Sequence, residues 1–222
     1  QDEEESDTFL FSEAEDMVPQ FKKDEQGKLI DDGNGGYVLE KSIWGNYSVQ
    51  RYVPRTEGTF YRIEKITCLK TGLSFWRVTT GAFETTYFGL TEDGRISDPN
   101  QLNHTFQWLP ELTVDHQGNC IRYQYEQDGS NRYLSHILYG NKLPYDAALS
   151  VDPETITLPS ESDFFFDVVL EWGSRPDCFS SYRSGFEIRT NLLCSRFLVF
   201  HNFAELGGKT LVRSLDLSYE QD

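Results

Sequence analysis

Apolar and polar positions alternate along two neighbouring runs in the middle of the chain. In the first, Ile121, Tyr123 and Tyr125 point one way while Arg122 and Gln124 point the other. In the second, Tyr133, Ser135, Ile137 and Tyr139 share a face opposite Leu134, His136 and Leu138. Successive side chains leave a pleated backbone on opposite sides, so a period of two predicts half-buried strands. Asp115-His116-Gln117-Gly118-Asn119 supplies a turn before the first run, and Asp128-Gly129-Ser130-Asn131 a turn between the two. Gly and Asn tolerate the positive φ of tight hairpin loops. The stretch Phe106–Asn141 therefore predicts an aromatic-rich β-hairpin, and the rest of the chain is organised around it.

The pattern recurs on both sides. Thr8-Phe9-Leu10-Phe11 predicts a first short strand, and Asp31-Asp32-Gly33-Asn34-Gly35-Gly36 a glycine-rich turn. That turn fails as a calcium loop, because glycines stand where oxygen ligands belong and no Glu closes it. Tyr47–Pro54 alternates, with Pro54 marking an end or an edge. Phe60–Leu69 and Ser74–Thr80 pair across Lys70-Thr71-Gly72; Phe83–Gly89, a turn at Glu92-Asp93-Gly94 and a loop beginning at Asp98-Pro99-Asn100 follow. Lys142–Asp163, with Pro144, Pro153 and Pro159, reads as a long connection. Beyond it, Phe164, Phe166, Val168, Leu170 and Trp172 face one way, with Asp167 and Glu171 opposite. A polar loop is expected over Gly173–Gly185, then strands at Phe186–Thr190 and Leu193–Phe203. A last strand, Leu211–Tyr219, puts Leu211, Leu215, Leu217 and Tyr219 on one face. About ten to thirteen strands, short turns and no sustained helical period give an all-β fold of antiparallel hairpins and meanders. Residues 1–7 read as an acidic flexible leader and 8–222 as one β-rich region with a loose connection near 142–163. The Gln at position 1 suggests an excerpt of a longer chain.

Composition narrows the function. Asp and Glu number 36 against 20 Lys and Arg, a net charge of −16, which disfavours nucleic acid and anionic membranes as partners. An aromatic content of 14% points to a sheet core built on rings. Cys68, Cys120, Cys178 and Cys194 show no CxxC spacing and read as buried reduced thiols. None of His104, His116, His136 and His201 lies at metal-ligand spacing from another His or Cys, with His104 and His116 expected in loops. No nucleophile elbow, phosphate loop or dinucleotide fingerprint is present. No catalytic, cofactor-binding or metal residue is therefore assigned. Between Arg175 and Arg189, Arg175, Arg183 and Arg189 with Asp177 and Glu187 form a charged passage. We read it as a buried or semi-buried network that fixes a loop against the sheet.

Two resemblances follow. Asp115, Gly118-Asn119, Tyr123, Tyr125, Gly129 and Tyr139-Gly140-Asn141 resemble one unit of the tyrosine–aspartate (YD, RHS) repeat. More extensively, RYVPRTEGTFYRIEK (Arg51–Lys65), SFWRV (Ser74–Val78), GRISDP (Gly94–Pro99), FQWLPE, LYGNKLPY, FSSYRSGFEIRTNLLCSRFLVFHNF (Phe179–Phe203) and ELGGKTLVRSLDLSYE occur in order. Together they resemble the N-terminal region of the SpvB family, which is shared with the B component of bacterial insecticidal toxin complexes.

The resemblance implies a secreted, non-enzymatic scaffold that forms part of an RHS-like β-shell around a cytotoxic effector. Its implied partners are the rest of the parent B chain, an RHS-type C component and, indirectly, a pore-forming A component. In the plasmid virulence protein the same region is joined to an ADP-ribosyltransferase; Glu13-Ala14-Glu15 matches that enzyme's ExE letters but not their setting. On this reading Trp108, Tyr123, Tyr125, Tyr139 and Trp172 pack the sheet, Gly118, Asn119 and Gly140 set turns, and Arg183 and Arg189 are structural. Two alternatives stand beside it: a glycan- or cell-surface-binding module using exposed Trp44 and Trp76, and a hydrolase built on paired acids.

Overall fold

A computed structural model describes residues 8–11, 15–55, 61–145 and 158–220. Its strands are β1 (Phe9–Phe11), β2 (Glu15–Pro19), β3 (Lys41–Trp44), β4 (Tyr47–Pro54), β5 (Arg62–Cys68), β6 (Ser74–Thr79), β7 (Thr85–Phe88), β8 (Arg95–Asp98) and β9 (Gln101–Trp108). They continue with β10 (Pro110–Val114), β11 (Cys120–Asp128), β12 (Asn131–Asn141), β13 (Phe164–Ser181), β14 (Ile188–Phe203) and β15 (Gly208–Asp216). Two single-turn 3₁₀ segments, Glu161–Asp163 and Ala204–Leu206, are the helical elements among the described residues. Among the described residues thirteen strands form one sheet in the order β1-β2-β4-β5-β6-β7-β10-β11-β12-β13-β14-β15, with β3 beside β4; β8 and β9 pair separately. The fold is all-β and antiparallel. The expected leader, the Glu13-Ala14 pair and residues 146–157 of the long connection lie outside the described residues.

Register places two cores on opposite faces of this sheet. Val49, Ile66 and Phe75 stand side by side across β4, β5 and β6. With Tyr87, Leu112, Val114, Cys120 and Leu138 they form one cluster, over which Tyr145 and Leu158 pack. Tyr52, Ile63 and Val78 are displaced by an odd number of residues from that row, so they face the other way. There they join Met17 and Trp76, with Phe9, Phe11, Phe88 and Trp108 against them. The Phe9 ring is edge-on to Tyr52, Trp76 and Trp108 at 5.7, 5.0 and 5.8 Å.

Bulges account for several departures from the sequence pattern. Gln124 pairs with His136 but Tyr125 pairs with Leu134, leaving Ser135 as an extra residue in β12. Leu134 and His136 therefore do not share a face, contrary to strict alternation. The polar loop expected over Gly173–Gly185 is instead the second half of β13, which runs to Ser181. Ser174 pairs with Leu192 and Phe179 with Thr190, so Arg175–Cys178 bulge out opposite Asn191. The strand continues because β14, likewise unbroken through Asn191, supplies the ladder that polar side chains alone cannot signal. In β15, Val199 pairs with Arg213 and Phe200 with Leu211; Val212 is extra, and Leu211 and Leu215 fall on opposite faces. That strand stops at Asp216 rather than Tyr219. His104, expected in a loop, lies within β9.

Candidate functional site

Among the described residues, four ionisable groups meet where side chains of β12, β13 and β15 converge under the turn Glu161–Asp163. The His136 Nδ1 atom stands 3.0 and 3.1 Å from the two carboxylate oxygens of Asp167. The Lys209 Nζ atom reaches the same carboxylate at 2.6 Å and the Glu161 carboxylate at 3.4 Å. Pairing explains the geometry. Val169 pairs with His136 and Leu138 with Asp167, so the two polar groups sit on one face, diagonal neighbours across the ladder. Asp167 pairs with Phe200 on β14, and Asn202 with Lys209 on β15, so the lysine leans back across Phe200, 5.1 Å from its ring centroid. Glu161 is held by its turn: Asp163 accepts a hydrogen bond from the Ser160 backbone N–H at 2.7 Å, and the Lys142 ammonium donates to the Ser162 carbonyl at 2.7 Å.

The electrostatics follow from this placement. Asp167 is buried, which opposes its charge, yet the hydrogen bonds from His136 and Lys209 outweigh burial and its pKa is lowered. The hydrogen bond to Asp167 raises the pKa of His136 against the opposing effect of burial. For Lys209 burial acts first and downward, but its bond to Asp167 leaves the pKa raised. Side-chain nitrogen and oxygen atoms of His136, Glu161 and Asp167 lie within 4.8 Å of one another, a concentration of negative charge that calls for a cation among them. Here the Lys209 ammonium already stands between the two carboxylates and supplies the positive charge. Glu161 and Asp167 also meet around that lysine, and Asp167 is held ionised, whereas the general acid of a hydrolase pair needs a raised pKa.

The residues singled out by sequence are dispersed over the sheet. Trp108 donates from its indole to the Ser74 carbonyl at 2.7 Å, and Trp172 to the Leu134 carbonyl at 2.9 Å while its ring meets Tyr133. Tyr125 donates to the Pro110 carbonyl at 2.7 Å, and burial raises its pKa. Tyr123 is half-buried beside Ile137, and Tyr139 stacks on Phe166 at 4.9 Å. Asp115 accepts from the backbone of Gln117 and Asn119 at 2.8 and 2.9 Å, forming the turn that Gly118 completes. Gly140 is not in a turn: it lies inside β12 at φ 66°, with Phe166 where a Cβ would go.

The arginine passage is semi-buried at one end only: Arg175, its side chain 16% exposed, grips the exposed Asp177 through two bonds of 2.9 and 2.7 Å, whereas Arg183 and Arg189 are exposed and Arg189 bonds Asn191 at 2.8 Å. Arg189 also lines a cleft of about 360 Å³ with Asp98, Asp128 and Glu187. Cys178 is exposed and Cys194 half-buried, unlike Cys68 and Cys120. Trp76 is 5% exposed and Trp44 is half-buried under Arg77, so neither is the open platform a glycan site requires. The His136 cluster was not foreseen. Its one visible trace is Asp167, an isolated acid inside the apolar run Phe164–Leu170.

Comparison with known proteins places the chain. Residues 1–131 and 170–203 match the SpvB family, described as Salmonella virulence plasmid 65kDa B protein. His136, Glu161, Asp167 and Lys209 all fall outside the matched residues. Mono(ADP-ribosyl)transferase SpvB of Salmonella typhimurium (strain 14028s / SGSC 2262) is 34% identical over 213 residues, covering 80% of this chain and 36% of its own length. The chain thus spans about a third of the curated relatives it matches. The N-terminal domain of effector protein SpvB from Salmonella typhimurium strain LT2 superposes with a TM-score of 0.80 at 31% identity, over 98% of this chain and 77% of that one. A Photorhabdus luminescens Tc holotoxin pore does so with a TM-score of 0.78 at 30% identity, over 99% of this chain and 12% of that one. With the sheet, its register and these matches in agreement, the chain belongs to the SpvB family.

Proposed function

We propose that these residues are a wall: a non-enzymatic stretch of antiparallel sheet in an SpvB-like virulence protein or toxin-complex B component that encloses or presents a cytotoxic effector. The observation that carries the proposal is the superposition of nearly the whole chain on one small part of a toxin assembly, 99% of this chain against 12% of that one. The topology supports it. Among the described residues thirteen strands run from β1 to β15 without closing on themselves, and an open edge is a template for further pairing. Residues 8–222 act as one region, and neighbouring parts of the parent chain extend the sheet. An RHS-type C component completes the enclosure and a pore-forming A component is met only indirectly. The parent is secreted. ADP-ribosyl transfer, named for relatives nearly three times as long, resides outside these residues.

The test is protease protection of the effector in the assembled parent protein with its C component. We expect the effector to be resistant in the intact assembly and digested when residues 1–222 are deleted. Equal resistance after that deletion refutes the wall.

A further inference from the structure

We propose that His136, Asp167, Glu161 and Lys209 form an acid-released latch on the start of β15: protonation of His136 draws the Asp167 carboxylate away from Lys209 and frees the first residues of that strand. The argument rests on competition for one carboxylate. Asp167 is within hydrogen-bonding distance of both His136, at 3.0 Å, and Lys209, at 2.6 Å. While the imidazole is neutral, Lys209 is the full positive charge facing Asp167 and Glu161. Once His136 is protonated, two like charges converge on the same acid and repel each other. If the start of β15 lifts away and takes Lys209 with it, the imidazolium keeps both carboxylates and loses the repulsion. The lifted state therefore binds the proton more tightly than the latched one, and linkage makes proton uptake favour lifting.

The neighbours leave His136 as the group that titrates between neutral and mildly acidic pH. It faces Gln124 from β11, Asp167 and Val169 from β13, Phe200 by way of Asp167 from β14, Lys209 from β15 and Glu161 from the 3₁₀ turn. The cationic Arg122 lies on the same face of β11 as Gln124 and interacts electrostatically with Glu161 and Asp163. His201, which pairs with Thr210, belongs to the opposite face, edge-on to Phe166 at 5.1 Å. The far end of β15 is held separately by Arg196 and Asp216 at 2.5 Å.

The sign separates this latch from ordinary acid stabilisation. The folded-state pKa of His136 is raised, above all by its bond to Asp167. Its contribution to global stability is therefore fully present below the ordinary histidine value, about 6.5, and is lost as pH rises through the folded value. Through His136, acid thus adds to global stability while loosening the start of β15.

Hydrogen exchange on the full-length protein tests it, with rates corrected for intrinsic pH dependence, between about pH 7.5 and about pH 5.5. We expect protection at residues 208–211 to fall several-fold on acidification while residues 214–216 stay constant. His136→Gln abolishes the step. Lys209→Met leaves residues 208–211 loose at every pH with no further step, and because Lys209 is part-exposed, that variant decides the matter even if the histidine variant does not fold. A step that persists in either variant, that spreads equally to residues 214–216, or that runs towards greater protection in acid overturns the latch.

Discussion

Strands β5 and β15 have much the same alternating composition, yet one is buried and the other is bare. Ile63 and Ile66 of β5 sit in the two cores, each covered from its own side. Leu211 and Leu215 of β15 point to opposite faces, and both are about half exposed, at 49% and 56%. Alternation declares a strand; burial depends on a second layer, and among the described residues only part of the sheet has one. Tyr145 and Leu158 of the long connection cover one face of β4–β12, while Phe9, Phe11 and Trp108 cover the other near β6. The ribbon of β13, β14 and β15 extends past these covers, and Phe179 and Tyr182 at its far end are exposed.

The largest expected contrast is between apolar truncations in the two regions. Leu112 is fully buried, and Leu112→Ala should cost about 4 kcal/mol through lost transfer energy and an unfilled cavity. Leu215→Ala, at an exposed site, should fall within about 0.5 kcal/mol. Denaturant midpoints at unchanged slope measure both. Equal effects would mean that the ribbon is covered in solution.

Ion pairs repeat the contrast. The Glu64 carboxylate, 1% exposed, takes Arg62 at 2.7 Å and Arg77 at 2.7 Å. Glu64→Ala leaves Arg77 without its partner beside a sealed core and should cost about 3 kcal/mol, the half-exposed Arg62 keeping the figure at the low end. On the ribbon, Glu171 meets Arg196 at 3.5 Å with both side chains nearly half exposed, and Glu171→Ala should change stability by at most about 0.5 kcal/mol. Unfolding curves of the two variants settle whether burial, rather than pairing, sets the scale.

Two glycines with the same backbone sharpen the point further. Gly118 and Gly185 both have φ 83°. Alanine in this left-handed region costs about 1–2 kcal/mol on its own. A Cβ at Gly185 meets nothing within 4 Å, but one at Gly118 comes within 2.8 Å of the Tyr145 carbonyl, in the segment that lies over the core. Gly118→Ala should therefore destabilise by about 1 kcal/mol more than Gly185→Ala. Equal thermal midpoints would place the cover over β10–β12 elsewhere.

What sequence made legible follows the same division. Tyr47–Pro54 and Ser74–Val78 lie in regular ladders with their neighbours, and their alternation survives intact in β4 and β6. Where a residue is inserted, as at Ser135 and Val212, the period breaks without any Gly or Pro to announce it. The second half of β13 reads as a loop because Arg175–Cys178 are polar, whereas the pairing that extends the strand comes from β14. The cluster at Asp167 leaves only that one acid as a trace in the sequence, for another reason. His136, Glu161, Asp167 and Lys209 are brought together by the order of strands in the sheet, and no spacing in the chain encodes that order.

The smallest effect on stability is expected at the open edge, where the effect on association should be the most visible. β15 pairs with β14 on one side; among the described residues no strand pairs with its other side, which is flanked by exposed Leu211, Val212 and Leu215. Residues 1–222 made alone should therefore self-associate through this edge. Charged side chains on an edge strand oppose strand addition. The double variant Leu211→Lys, Leu215→Lys removes little buried surface, so its unfolding free energy should stay within about 0.5 kcal/mol of the parent. Its sedimentation should shift from a concentration-dependent mixture to a monomer. On the proposed wall reading, the same substitutions should also weaken assembly of the full-length protein. A monomeric wild-type fragment would show that the ribbon seals its own edge, and with it the contrast between covered core and open ribbon would fall.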